Sequence, residues 1–415
     1  MEALINEKKF CKAFYVESLN AKKLLRDFMA LRSAVICVAE TQKKHDSKCR
    51  YCDIMCPDST RVVLQDRPSD NDFIHANWMT MPNGYRYISA QGPLDETTED
   101  FWHMIFTEKS TAIVMICDWV EDEIQKCARY IPFDDCESRK FGIYKVTRVG
   151  QTVMLMDGVK EHTFEVYITE QPTIRHTVRH FHFVTWLDHT APITSDSVLK
   201  VMKTVKELKG GPPVIHCSAG IGRTGTFIGQ LQTLPYHLST CSFSGVDYGI
   251  QRIGRVGELN PLDLVREMRE MRPKAVQSHH QFLFMIICIT DLMVLDGVPR
   301  DDEMDDIVDV YKEIMEKAKK RRDEKMKRKE ESKRNEVAGK EDDEAKKKES
   351  SKIQGTPLRK VESNVAVLML DANHEKKDGA PKDDKKEEKK DDVLKTAPKL
   401  SSFEKHRPEL FTARE

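Results

Sequence analysis

Val214–Gly225 reads VIHCSAGIGRTG, and the order of residues in this stretch decides the fold. A short apolar strand, PPVIH, runs into a turn of small residues and then into a helical segment. In α/β proteins this strand, loop and helix order is where backbone N–H groups and a positive helix end converge on an anion. Ala219, Gly220 and Gly222 are small enough for successive N–H groups to curl round an oxyanion. Cys217 leads the loop, and a cysteine at a helix N-terminus beside an arginine is held as the nucleophilic thiolate. Arg223 follows with five residues between, so its planar fork can take two oxygens of the same anion. The Thr224 hydroxyl can donate to the sulfur when it leaves. A buried structural cysteine accounts for a lone Cys beside glycines, but not for this combination.

Outward from the loop, the chain divides by composition. Residues 301–415 carry 31 Lys+Arg and 31 Asp+Glu but only three aromatics, Tyr311, Phe403 and Phe411, so they lack the apolar surface to offset ordering entropy. The first 300 residues hold 28 aromatics, enough for one sizeable core. Within them RVVL, RYISA, TAIVMI, YKVTRV, TFEVYI and RHFHFVTW predict strands between Thr60 and Trp186, and Ser197–Leu208 predicts a helix. From Glu7 to Glu40, Phe10, Phe14, Leu24, Leu25, Phe28, Leu31 and Val35 fall near helical spacing and predict a helical lead-in.

Several function classes are excluded at this level. A net charge of −1 argues against general nucleic-acid affinity. MEALINEKKF does not read as a secretory signal, and the longest late apolar run, Phe282–Leu295, is too short for a membrane span. Eleven scattered cysteines fit reduced thiols and a cytoplasmic setting. Cys49, Cys52 and Cys56 lack a nearby fourth ligand and make a weak zinc signal.

HCSAGIGRTG resembles the signature H-C-x-x-G-x-x-R-[ST]-G of the protein tyrosine phosphatases, in the form typical of the phosphotyrosine-specific, non-receptor branch. Other motifs are similar in the expected order: KCRYCD (48–53), FIHAN (73–77), AQGPL (90–94), FWHMI (101–105), KCARYIP (126–132), TWLDHTAP at the mobile acid loop, and QSHHQF (277–282). The resemblance implies an α/β fold with a twisted mixed sheet flanked by helices. It places a helical lead-in over 1–44, the catalytic domain over 45–297, and a charged, largely disordered or partly helical tail over 298–415. It further implies that Cys217 attacks phosphorus and that Arg223 binds the equatorial oxygens with the N–H groups of Ser218, Ala219, Gly220, Ile221 and Gly222. Asp188 is then the general acid, Gln277 and Gln281 hold the hydrolytic water, Tyr51 stacks on the substrate ring, and Asp53 fixes the peptide backbone. No cofactor or metal is implied, because Arg223 and the backbone supply the positive potential. The partners implied are phosphotyrosine proteins. In the tail, KKRR and KMKRK are candidates for docking a partner or for nuclear import. His216 is expected to orient the loop, Trp186 to be a packed hinge, and His180, His182, His279 and His280 to be ordinary strand, turn or surface residues.

Two departures bear on activity. Leu187 stands where the family has proline and Thr190 where it has glycine, which favours altered loop closure and makes a weakened phosphotyrosine-binding protein the alternative reading. Gln230–Gly245 interrupts the helix that follows the loop. Its removal brings Phe227, Val246, Ile250 and Ile253 to helical spacing, so the segment reads as a splice or gene-model insertion of the kind a translated intron end produces, with a surface loop inside an interrupted helix as the alternative.

Overall fold

The computed structural model describes residues 21–31, 37–81, 84–132, 137–186, 190–231, 261–295, 300 and 302–353. Residues 1–20 of the expected lead-in, Leu187–His189, most of the 230–245 insertion and the tail beyond 353 lie outside the described residues. Among the described residues the main sheet has nine strands: β1 (Arg61–Val63), β2 (Phe73–Thr80), β3 (Arg86–Ala90), β4 (Ala112–Met115), β7 (Ser138–Phe141), β8 (Tyr144–Met156), β9 (Val159–Ile168), β10 (Arg175–Phe183) and β11 (Val214–His216). Their spatial order is β1-β2-β3-β11-β4-β10-β9-β8-β7. A small hairpin, β5 (Val120–Glu121) with β6 (Ile124–Gln125), follows β4. All six segments predicted as strands are strands.

β11 lies between β3 and β4 and is parallel to both, with Val214 opposite Ile88 and Ile113. A strand with two parallel neighbours is buried on both faces, which is why Val214 and Ile215 are continuous rather than alternating apolar residues. The loop after such a strand opens at the carboxyl edge of the sheet, the usual ligand site of open α/β folds. At the other side β8 and β9 form a long hairpin turned by Asp157–Gly158, with Gly158 in the left-handed region at φ 74°.

Helices cover the sheet: α1 (Ala21–Ala30), α2 (Glu40–Lys44), α3 (Thr98–Thr107), α4 (Asp196–Glu207), α5 (Gly222–Leu231), α6 (Pro261–Met271) and α7 (His279–Leu295). The expected lead-in is helical where described: Ala21, Leu24 and Phe28 of α1 are buried, and Phe28 stacks on Phe282 of α7 at 4.5 Å. None of these helices is long and apolar enough to cross a membrane.

The 52-residue helix α8 (Asp302–Ile353) occupies the start of the expected tail. Met304, Ile307 and Tyr311 are fully buried, with Val310, Ile314 and Met315 packed beside them. Ion pairs from Arg300 to Asp291 (3.0 Å) and Asp305 (2.6 Å) fix the entry to this helix. The compact body therefore takes in the first turns of α8, beyond the expected boundary at 297. The stripe Ile307, Val310, Ile314 and Met315, legible in the sequence as one face of a possible helix, is the face that packs on the body.

Candidate functional site

The loop from Cys217 to Arg223 is shaped by what holds its carbonyls. The Cys217 carbonyl accepts from His216 Nδ1 (3.2 Å), that of Ser218 from Gly92 N (3.0 Å) and that of Ala219 from Arg272 (2.9 Å). The Gly220 carbonyl accepts from both Arg272 Nε and Ser89 Oγ at 3.0 Å, and Ile221 O from the N–H groups of Gly225 and Val276. Gly222 O accepts from the Thr226 hydroxyl. A trans peptide points its N–H opposite its C=O, so carbonyls tied outward turn the N–H groups of residues 218–223 inward, around a common centre. Gly220 N already points at Cys217 Sγ, at 3.3 Å. Glycine is required at Gly220, whose φ of 69° and closeness to the Ala90 carbonyl exclude a side chain. A Cβ at Gly92 would meet Cys217 O at 2.8 Å, so the AQGPL motif supplies the loop's floor.

Arg272 is the main clamp on this wiring. It is completely buried, and besides the two loop carbonyls it donates to Asn77 Oδ1 (2.5 Å) and to His75 Nδ1 (3.1 Å). Burial lowers its pKa from the usual arginine value, and His75 and Asn77 of the FIHAN motif are there to satisfy it. Arg223 is equally buried and is gripped end-on by Glu121, NH1 to Oε1 at 2.6 Å and NH2 to Oε2 at 3.1 Å. Its NH1 also donates to the Trp186 carbonyl at 2.8 Å. One arginine thus joins the phosphate-type loop to the residue that opens the expected acid loop. Nothing in the sequence singled out Glu121 or Arg272. Each lies far along the chain from its partner, and neither sits in a distinctive spacing.

The other expected site residues converge unequally. Thr224 Oγ1 is buried in the first turn of α5, with no hydrogen-bond partner among the described residues, Cys217 Sγ included. Gln277 and Gln281 stand over Gly222, where a Cβ would meet Gln281 Nε2 at 2.9 Å and Gln277 Oε1 at 3.1 Å. Gln281 Oε1 accepts from the N–H groups of residues 277 and 278, which leaves its buried Nε2 aimed over the loop without a described partner. The Tyr51 hydroxyl lies 2.8 Å from Ser218 Oγ, which itself donates to Lys126 O. Asp53 is largely exposed and paired with Lys274. Trp186 is buried and donates to Thr190 O at 2.8 Å. Asp188 and Leu187 lie outside the described residues. Of the three early cysteines, Cys56 is buried and donates to Ala76 O while Cys52 is exposed, so their side chains face different environments.

Beneath the loop lies a chain of neutral histidines. His216 Nδ1 faces a carbonyl and so carries the proton, which makes its Nε2 the acceptor of the Tyr130 hydroxyl at 2.7 Å. Tyr130 in turn accepts from His180 Nε2 at 2.8 Å, leaving His180 Nδ1 as the lone pair with no described partner. His180 is therefore a fully buried member of this network rather than an ordinary strand residue. Burial pushes His75 and His216 down to about 3, His182 to about 4, and His180 well below the usual value. A depressed histidine contributes stability that is present above the unfolded value and lost as pH falls. Between pH 6.5 and 4 the unfolded chain takes up protons that the fold refuses. At pH 5 each of these histidines should cost on the order of 2 kcal/mol. The melting temperature is thus expected to drop steeply from pH 7 to pH 5, and a flat profile in scanning calorimetry would contradict the buried, neutral state of these histidines.

Comparisons with known proteins agree with this geometry. The model of the protein-tyrosine phosphatase family matches residues 45–234 and 238–291. The receptor-type tyrosine-protein phosphatase H of Homo sapiens is 33% identical over 255 residues, covering 59% of this chain and 21% of that protein. The tyrosine-protein phosphatase non-receptor type 9 of Mus musculus is 32% identical over 273 residues, covering 60% and 42%. The chain thus spans less than half the length of these relatives. Among solved structures, the catalytic domain of human protein tyrosine phosphatase non-receptor type 18 superposes with a TM-score of 0.54 at 23% identity, covering 66% of this chain and 94% of that one. With 244 residues matched by the family model around a wired Cys217–Arg223 loop, the chain belongs to the protein-tyrosine phosphatase family.

Proposed function

We propose that the protein hydrolyses phosphotyrosine in other proteins through a phosphocysteine intermediate. One observation carries this reading: Arg272 ties down the Ala219 and Gly220 carbonyls, Gly220 N points at Cys217 Sγ, and the buried Arg223 is held in place by Glu121. Such preorganised donors stabilise charge on three equatorial oxygens without reorganising during reaction. In the first step the Cys217 sulfur attacks phosphorus, the bond to the tyrosyl oxygen breaks, and Asp188 gives its proton to the departing phenolate. In the second, Asp188 takes a proton from water held by Gln277 and Gln281. That water's oxygen attacks phosphorus, and the sulfur leaves towards Thr224. Tyr51, anchored on Ser218, forms a wall for the aryl ring, and Asp53 is assigned to the peptide backbone. A cytoplasmic setting, with the basic clusters at 319–322 and 325–329 docking an acidic partner or serving nuclear import, belongs to the same proposal.

The test compares leaving groups. Asp188→Ala is expected to lower kcat on phenyl phosphate by roughly 10² or more, and much less on an aryl phosphate with an acidic leaving group, which needs no proton. Equal slowing of both, or no slowing, defeats the acid assignment. Failure of the wild-type protein to hydrolyse either substrate favours the weakened, phosphotyrosine-binding reading that Leu187 and Thr190 motivate. In that case Leu187→Pro should restore turnover only when Asp188 is present.

A further inference from the structure

Glu121, the carboxylate that grips Arg223, stands on the β5–β6 hairpin, a support too small to fix its own position. Each strand has two residues, with Val120 opposite Gln125 and Glu121 opposite Ile124, and an isolated two-stranded hairpin is marginally stable at best. The turn is made by Asp122 at φ 51° and Glu123 at φ 68°, both in the left-handed region although neither is glycine. The hairpin is therefore held from outside. At its base Lys126 N donates to Trp119 O at 2.8 Å, and at its flank the Arg50 guanidinium donates to Gln125 O at 3.2 Å. At its tip, Arg322 of α8 forms an ion pair with Asp122 at 3.8 Å. That placement follows from how α8 packs. Met304, Ile307 and Tyr311 are buried, Ile314, Met315 and Ala318 are half-buried, and Arg322 continues the same face at helical spacing. Residues 323–328 are exposed, so the packed stripe runs out on Arg322.

We propose that Arg322 is a positioning residue for catalysis, which by holding Asp122 keeps the neighbouring Glu121 seated on Arg223. This rests on the hydrolytic reading of the site. Glu121 meets Arg223 with both carboxylate oxygens, and its Oε1 also accepts from Asp118 N at 2.9 Å. A tip that swings away pulls on this fork-to-fork contact, and the guanidinium that should face the equatorial oxygens loses its preset direction. Arg223 lies in the first turn of a helix and Arg322 far along another, yet only the two residues Glu121 and Asp122 separate them in space. The arginine is 38% exposed and the aspartate 56%, which sets a ceiling of about fivefold on what this pair contributes to the rate.

The experiment is a double-mutant cycle on the full chain: Asp122→Asn and Arg322→Gln, singly and together, read as kcat/KM on a small aryl phosphate. Asparagine enters the left-handed region readily, so Asp122→Asn removes the charge without straining the turn. Each single variant should lose about two- to fourfold at low salt, and the double should fall no further than the slower single. Arg322→Lys should keep most of the rate, and at about 0.5 M salt the wild type should approach the variants. Lys317→Gln, which breaks an ion pair to Glu313 within α8 itself, controls for charge and helix stability and should leave the rate unchanged. Unchanged rates in both single variants, losses that multiply in the double, or Arg322→Lys as slow as Arg322→Gln overturn the proposal. If the wild type hydrolyses no aryl phosphate, the hydrolytic reading fails separately. The same cycle is then read from Kd for inorganic phosphate by calorimetry, with the same criteria, and a protein that binds no phosphate overturns both readings.

Discussion

Cys217→Ser should abolish turnover, by roughly 10⁴-fold or more, while phosphotyrosine peptides still bind. The two halves of this expectation have different origins. Turnover is lost because a serine hydroxyl at this position has no base to activate it: His216 is neutral, its Nδ1–H is committed to the Cys217 carbonyl and its Nε2 to Tyr130. Binding survives because none of the groups that shape the cradle depends on the sulfur. Arg272 still holds the Ala219 and Gly220 carbonyls, and Glu121 still holds Arg223. Affinity for the peptide should therefore be largely retained. Calorimetric titration with a phosphotyrosine peptide, beside a turnover assay, checks both. Retained turnover in the serine variant would exclude a phosphocysteine intermediate.

What the sequence made legible is local and contiguous. VIHCSAGIGRTG placed the strand, loop and helix correctly because its chemistry depends on neighbours in the chain: small residues for the curl, and an arginine at the start of the helix. The flanking motifs were legible as strings, but their reasons were not. Gly92 is a glycine because Cys217 O lies against it, Gln91 is a glutamine because it bonds both Arg50 N and Lys48 O, and Tyr130 stands in KCARYIP where it bridges His180 and His216. Each reason spans dozens of residues. Glu121 and Arg272 were invisible for the same cause: Glu121 reads as one acid among several in DWVEDE, and Arg272 as one of many helix-end cations. Only the fold makes each of them a single clamp. The reading of Asp53 was incomplete in another way, since its partner Lys274 adjoins it only across the cleft.

The tail shows the opposite failure, where an average outweighed a local pattern, and its consequence is large. Truncation after Arg300 should strongly destabilise the body, although the charge content of residues 301–415 predicts no effect. The cut removes Met304, Ile307 and Tyr311, all fully buried, and each such side chain contributes about 1.5–3 kcal/mol by burial. A loss on the order of 5 kcal/mol is comparable with the whole stability of an ordinary domain. It also uncovers Phe284, whose ring lies 5.9 Å from that of Tyr311 and 5.6 Å from that of Trp186. The Tyr311 hydroxyl donates to Pro192 O at 2.6 Å, so the segment after the acid loop loses a tether as well. Truncation after Gly339, where the first compact unit ends, keeps all of these contacts and should leave the melting temperature unchanged. Tyr311→Phe isolates the tether: it keeps the ring and should cost about 1 kcal/mol, the usual net worth of one hydrogen bond. Thermal melts of the three variants separate burial from tethering. A chain ending at Arg300 that melts with the full-length protein would show that α8 is not part of the body.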